Sequence, residues 1–127
     1  MAEWKRVLIV VAHPDDAELG SGGSIARWIG EGATVTYVIA TNGNKGTKDI
    51  TISPHRLADT REAEQKAAAA FLGVNEVVFL RYNDGELRAD DGLKIQLAIL
   101  FRHYRPDAVV THDPWRLYQP HPDHRAL

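Results

Sequence analysis

Two short runs hold the side chains best suited to chemistry: His13-Pro14-Asp15-Asp16 near the start and Pro120-His121-Pro122-Asp123-His124 near the end. His13, Asp16 and His124 together offer two imidazoles and one carboxylate. That is a donor set used by catalytic zinc, with the fourth position left to water. Asp15 stands beside Asp16, and adjacent side chains in a turn need not point together. One carboxylate can therefore hold a metal while its neighbour takes a proton from an attacking water, as a general base does. His121, three residues before His124, can face the same cavity, where it would stabilise a carbonyl-derived oxyanion or assist departure of an amine. Each residue also has a plainer reading. Histidine and aspartate cap helices and form turns, Asp15 can satisfy N–H groups at a helix start, and a histidine between two prolines can simply be a fixed turn residue. His112 reads as a residue that orients a neighbour or serves structure, ahead of one that acts directly.

These groups need a scaffold, and the hydrophobic pattern supplies one. Arg6 to Ala12, Ala33 to Ile39, Glu76 to Leu80 and Ala108 to Thr111 are short β-rich apolar runs, as expected of buried parallel strands. Between them lie helical patterns. Ala17 to Trp28 carries Leu19, Ile25 and Ala26, with Gly22-Gly23 lowering its propensity and offering room for close backbone approach. Ser53-Pro54 opens a second helix that Gly73 stops. Asp91 to Tyr104 forms a third, whose Leu93, Leu97 and Leu100 with Ile95 and Ile99 are expected to cover a broad apolar face until Arg105-Pro106 ends it.

Four strands joined by helical crossovers predict an α/β fold, a three-layer Rossmann-like parallel sheet with strand order 3-2-1-4. In that order the first and fourth strands are neighbours, so their C-terminal loops flank the switch point where open α/β sheets bind ligands. His13-Pro14-Asp15-Asp16 and His121-Pro122-Asp123-His124 sit on those two loops. Arg125-Ala126-Leu127 reads as the opening of a helix, so residues 1–127 are expected to form the N-terminal part of one domain continuing beyond Leu127.

The chain has 127 residues, 44% of them hydrophobic, enough for one ordinary core. No long uncharged apolar run suggests a membrane span, and the opening residues do not read as a secretory signal, so a cytoplasmic location is expected. Without cysteine, disulfides and thiolate metal sites are excluded, and any metal must use His, Asp or Glu. Fifteen basic against seventeen acidic residues leave a net charge of −2, with no general attraction to nucleic acid. Nor do the glycines near His13 form the phosphate cradle of a dinucleotide site. An uncovered sheet face would favour self-association into a homo-oligomer. Among further candidates, Arg61 could bind a sugar hydroxyl or an anionic substituent, with an ion pair to Glu64 an equal alternative. Asn42 could shape the pocket rim or simply form a polar turn. Trp115 and Tyr118 could form a sugar-stacking wall or pack in the core.

The run Ala12-His13-Pro14-Asp15-Asp16-Ala17-Glu18-Leu19-Gly20-Ser21-Gly22-Gly23 resembles the opening signature of the LmbE-like, or PIG-L, N-acetylglucosaminyl deacetylase family. Pro120-His121-Pro122-Asp123-His124-Arg125 resembles its second signature, and Arg61-x-x-Glu64 the helix between them. Ser21 stands where many relatives have cysteine. The resemblance implies a divalent metal, zinc or another, on His13, Asp16 and His124. It makes Asp15 the general base, His121 the electrostatic or acid-assisting group, and Arg61 a substrate contact. The implied reaction removes the acetyl group from an N-acetylglucosamine-containing sugar or glycoconjugate, with water activated at the metal. The alternatives are an amidohydrolase of another acylated metabolite and a non-catalytic Rossmann-like binding domain.

Overall fold

A computed structural model describes residues 4–14, 16–42, 53–83 and 86–112 together with Asp123, the side chains of residues 18–21 and 54 lying outside that description. The elements run β1 (Arg6–Val11), α1 (Asp16–Gly30), β2 (Thr34–Thr41), α2 (Pro54–Leu72), β3 (Glu76–Tyr82), α3 (Asp91–Tyr104) and β4 (Ala108–Val110). All strand pairs are parallel and the order is β3-β2-β1-β4. The chain steps from β1 to β2 to β3 in one direction and then crosses back to place β4 on the other side of β1. The gap between β1 and β4 is thus the topological switch point.

Alternation along the strands splits the core into two faces. Val7, Ile9 and Val11 of β1 and Val35, Tyr37 and Ile39 of β2 point to one side, where Ala17 and Ile25 of α1 and Ala69 of α2 close over them. Leu8, Val10 and Val38 point to the other, against Leu97, Leu100 and Tyr104 of α3. Helices on both faces make the three layers. Because β1 is covered on both sides, it does not alternate with polar residues, which explains its continuous apolar run.

Local chemistry fixes the helix ends. The Ser53 hydroxyl accepts from the Arg56 N–H at 3.2 Å, and Gly73 closes α2 in the left-handed region at φ 86°. The Asp90 carboxylate accepts from the Leu93 N–H at 2.9 Å, and α3 stops at Arg105, also left-handed, before Pro106.

Two expectations are corrected. Ile95 and Ile99 do not join the apolar face of α3: they are 59% and 58% exposed, while Leu93 is 1% exposed. At about 100° per residue, positions 93, 97, 100 and 104 lie along one stripe and 95 and 99 fall near the opposite side. Among the described residues Gly22 and Gly23 do not serve close backbone approach, since a Cβ built on either meets none of their atoms within 4 Å, and α1 runs through both.

One irregularity lies beside the site. Ile39 pairs with Phe79 but Thr41 with Tyr82, so β3 holds one extra residue there, and Arg81 adopts φ 63°. The Arg81 Nε donates to Glu62 Oε1 of α2 at 2.8 Å, pinning the bulge. Among the described residues no helix is long and apolar enough to cross a membrane.

Candidate functional site

The sheet brings the C-terminal ends of β1 and β4 together, because Ile9 is in register with Val110. Beyond Val11 the chain turns through Ala12, His13 and Pro14 into α1, and beyond Val110 it reaches His112. The two ends are joined by a hydrogen bond: the buried Ala12 N–H donates to His112 Nε2 at 3.0 Å. A main-chain N–H has a fixed direction, so this nitrogen of His112 accepts and its proton resides on Nδ1. The orienting part expected of His112 is visible in this bond.

Asp16, the first residue of α1, folds back over the turn. Its Oδ2 accepts from the His13 main-chain N–H at 2.9 Å and lies 3.3 Å from His13 Nδ1 and 3.4 Å from His112 Nε2. The helix-start reading is thus realised, and the same carboxylate still reaches both imidazoles. Burial pushes the Asp16 carboxyl up, but the neighbouring His112 and His13 rings and the hydrogen bond from the His13 N–H outweigh it and hold the group well below the usual carboxylate range.

His13 is held from its other side as well. Its Nε2 lies 2.9 Å from Oδ2 of Asp123, whose side chain is fully buried, and Oδ1 of that carboxylate accepts from the Leu87 N–H at 3.0 Å. Leu87 belongs to the connection between β3 and α3 and packs with Ala40 and Leu93. Three connections therefore converge on one imidazole. Sequence reasoning assigned no role to Asp123. Its place between His121 and His124 was the available signal, but a carboxylate inside a ligand motif does not declare which neighbour it serves.

The other candidates stand as follows. Arg61 Nη1 donates to Glu64 Oε2 at 3.0 Å, so the ion-pair alternative for Arg61 is present. Asn42 follows β2 and its main-chain N–H donates to the Tyr82 carbonyl at 2.9 Å, tying the end of β2 to the bulged end of β3. Asp15, His121 and His124, with Trp115 and Tyr118, lie outside the described residues.

Among the described residues no group of three or more His, Cys, Asp or Glu side chains forms a metal-holding cluster. The described pair can still be tested for fit. Two donors of a tetrahedral zinc, each about 2.1 Å from the ion, stand about 3.4 Å apart. His13 Nδ1 and Asp16 Oδ2 are 3.3 Å apart, so that spacing suits a divalent ion with little movement of either side chain. The pairing of one imidazole with a carboxylate kept anionic also matches the hard-to-borderline donors such an ion takes.

The chain is 39% identical over 121 residues to the diacetylchitobiose deacetylase of Thermococcus kodakarensis, spanning 95% of this chain and 45% of the relative. It is 34% identical, over an alignment 149 positions long, to the 1D-myo-inositol 2-acetamido-2-deoxy-alpha-D-glucopyranoside deacetylase of Rhodococcus erythropolis, spanning 97% of this chain and 50% of the relative. The chain thus covers about half the length of the curated relatives it matches. Among solved structures, the N,N'-diacetylchitobiose deacetylase from Pyrococcus horikoshii in complex with its inhibitor superposes with a TM-score of 0.95 at 40% identity, over 98% of this chain and 46% of that one. The PIG-L family model, described as GlcNAc-PI de-N-acetylase, matches residues 8–127. With that match running through both histidine-aspartate signatures, the chain belongs to the LmbE-like, or PIG-L, deacetylase family.

Proposed function

We propose that this protein is a metal-dependent deacetylase that hydrolyses the acetamide of an N-acetylglucosamine-containing sugar, and that zinc is its metal. The observation that carries the reading is the loop after β1, where His13 Nδ1 and Asp16 Oδ2 stand 3.3 Å apart at the switch point in a chain of this family. The relatives named above differ in what the sugar is attached to and share an acetamido group, so the acetamide is the substrate feature we assign.

His13, Asp16 and His124 would hold the ion. When bound, it supplies Lewis-acid polarisation of the acetyl carbonyl and lowers the pKa of water. Asp16, kept anionic by its neighbours, serves as a ligand that does not compete for the proton in flight. Asp15 takes that proton as the water oxygen attacks the carbonyl carbon. His121 stabilises the oxyanion and, with protonated Asp15, returns a proton to nitrogen as the C–N bond breaks. One water is consumed, and acetate and a free amine leave.

The test is mass-spectrometric detection of acetate together with the free amine, using a panel of N-acetylglucosamine conjugates and protein stripped with a chelator, then reloaded with zinc. Paired release of both products by reloaded protein, absent from stripped protein, is expected. Neither product from any conjugate, with zinc shown to be bound, would overturn the substrate assignment. Equal turnover by stripped and reloaded protein would overturn the metal.

A further inference from the structure

We infer that Asp123 is a positioning residue: its buried carboxylate, anchored on the Leu87 main-chain amide, holds the His13 ring and keeps the proton of the neutral imidazole on Nε2. The inference rests on the metal-site reading above for its consequence, but not for its geometry. The two oxygens of Asp123 have separate partners, Leu87 N–H on Oδ1 at 3.0 Å and His13 Nε2 on Oδ2 at 2.9 Å. A carboxylate only accepts, so the ring nitrogen facing it must donate. On the far side of the ring, Nδ1 faces Asp16 Oδ2 at 3.3 Å, a longer approach to a carboxylate that is partly exposed where Asp123 is fully buried. When the ring carries one proton, the shorter and drier hydrogen bond retains it. Nδ1 is then left with its lone pair turned toward Asp16, the form a metal needs.

The anchor is firm because Leu87 is 4% exposed and packs with Ala40 at the end of β2 and Leu93 in the first turn of α3. The connection from β3 to α3 thereby acts on the loop after β1 through a single side chain. Aspartate is required for a reason that size does not explain. In Asp123→Asn the Leu87 N–H still needs an acceptor, so the amide oxygen faces Leu87 and the NH2 faces His13 Nε2. Two donors then meet unless the ring moves its proton to Nδ1. That tautomer points a hydrogen, in place of a lone pair, at Asp16.

Long-range proton–nitrogen correlation spectra of the metal-free protein at alkaline pH, where the free ring is neutral, read the tautomer directly. The expected result is Nε2–H in the native protein and Nδ1–H in Asp123→Asn. Zinc affinity measured by titration with the metal alone should weaken by about 10–100-fold in the variant, as for other partners that orient metal-bound histidines. Native protein with its proton on Nδ1 would overturn the inference without any variant, which covers the case that Asp123→Asn does not fold. A folded variant that keeps Nε2–H would overturn it too. If the tautomers are as expected and native protein binds no zinc, the positioning by Asp123 stands and the metal reading fails.

Discussion

The hydrogen bond from Ala12 to His112 holds the two sides of the switch point together, and His112→Phe removes its acceptor. Phenylalanine keeps a ring of similar volume at the end of β4 but offers no acceptor. Ala12 is 0% exposed, so its N–H, now 3.0 Å from an imidazole nitrogen, would have no water to turn to. Leaving a buried donor unmade costs about 1–3 kcal/mol. With a urea dependence of about 1–3 kcal/mol per molar for a domain of this size, the unfolding midpoint should fall by about 1 M at unchanged slope. Fluorescence can follow the transition, because Trp4 packs edge to face at 5.7 Å on Trp28 of α1 and the pair reports loss of that contact. Amide hydrogen exchange supplies a local reading: Ala12 should lose protection while the centre of β1, at Leu8 and Ile9, keeps it. A midpoint within about 0.2 M of the native value, with Ala12 still protected, would refute the assignment of His112 as the acceptor.

Asp15→Asn should leave the fold and zinc binding intact and lower deacetylation by about 10²–10⁴-fold, the contribution of a positioned general base; undiminished acetate release would remove Asp15 from that role. Burial first, and then bonding to Glu76, push the Tyr104 phenol up to about 12. The fold therefore favours the neutral phenol, and its contribution is whole below the ordinary tyrosine pKa of about 10 and lost as pH rises through about 12. Thermal midpoints of native protein and Tyr104→Phe, compared across that window, should show a stability difference that is constant below it and shifts against the native protein within it. Finally, Leu93→Ala should cost about 2–5 kcal/mol because Leu93 is buried against Ala40 and Leu87, whereas Ile95→Ala, on the exposed side of α3, should stay within about 0.5 kcal/mol; chemical denaturation of the pair separates the two faces of that helix.

The scaffold was legible in sequence because strong local signals agreed with one another. The span Asp91–Tyr104 could be read from apolar spacing and the following Arg-Pro, and α2 from Ser53-Pro54 and Gly73, since caps are written in residue type. Strand order followed from the alternation of strands and crossovers with one handedness. The phase of α3 was lost because Leu93, Ile95, Leu97, Ile99 and Leu100 are all apolar, and only the sheet beneath decides which of them it covers. The bulge at Arg81 was invisible for a related reason: arginine carries no preference for φ 63°, and its conformation depends on the partnership with Glu62 across the chain.

For the candidate site, sequence named the candidate donors, and the topology brings His13 and Asp16 beside His112 at the ends of β1 and β4. What sequence lacked was the direction of each polar bond. Asp16 was read as either a capping or turn residue or a metal ligand; its Oδ2 takes the His13 N–H and faces His13 Nδ1, a contact compatible with the ligand role proposed above. A capped carboxylate of this kind is already fixed in place, which lowers the entropy lost on binding an ion. Asp123 could not be found by spacing, because the partner that gives it orientation, Leu87, lies 36 residues earlier on a different connection. Burial makes the difference between these two aspartates: the side chain of Asp16 keeps an exposed edge, while that of Asp123 is fully buried against the His13 ring and the Leu87 amide.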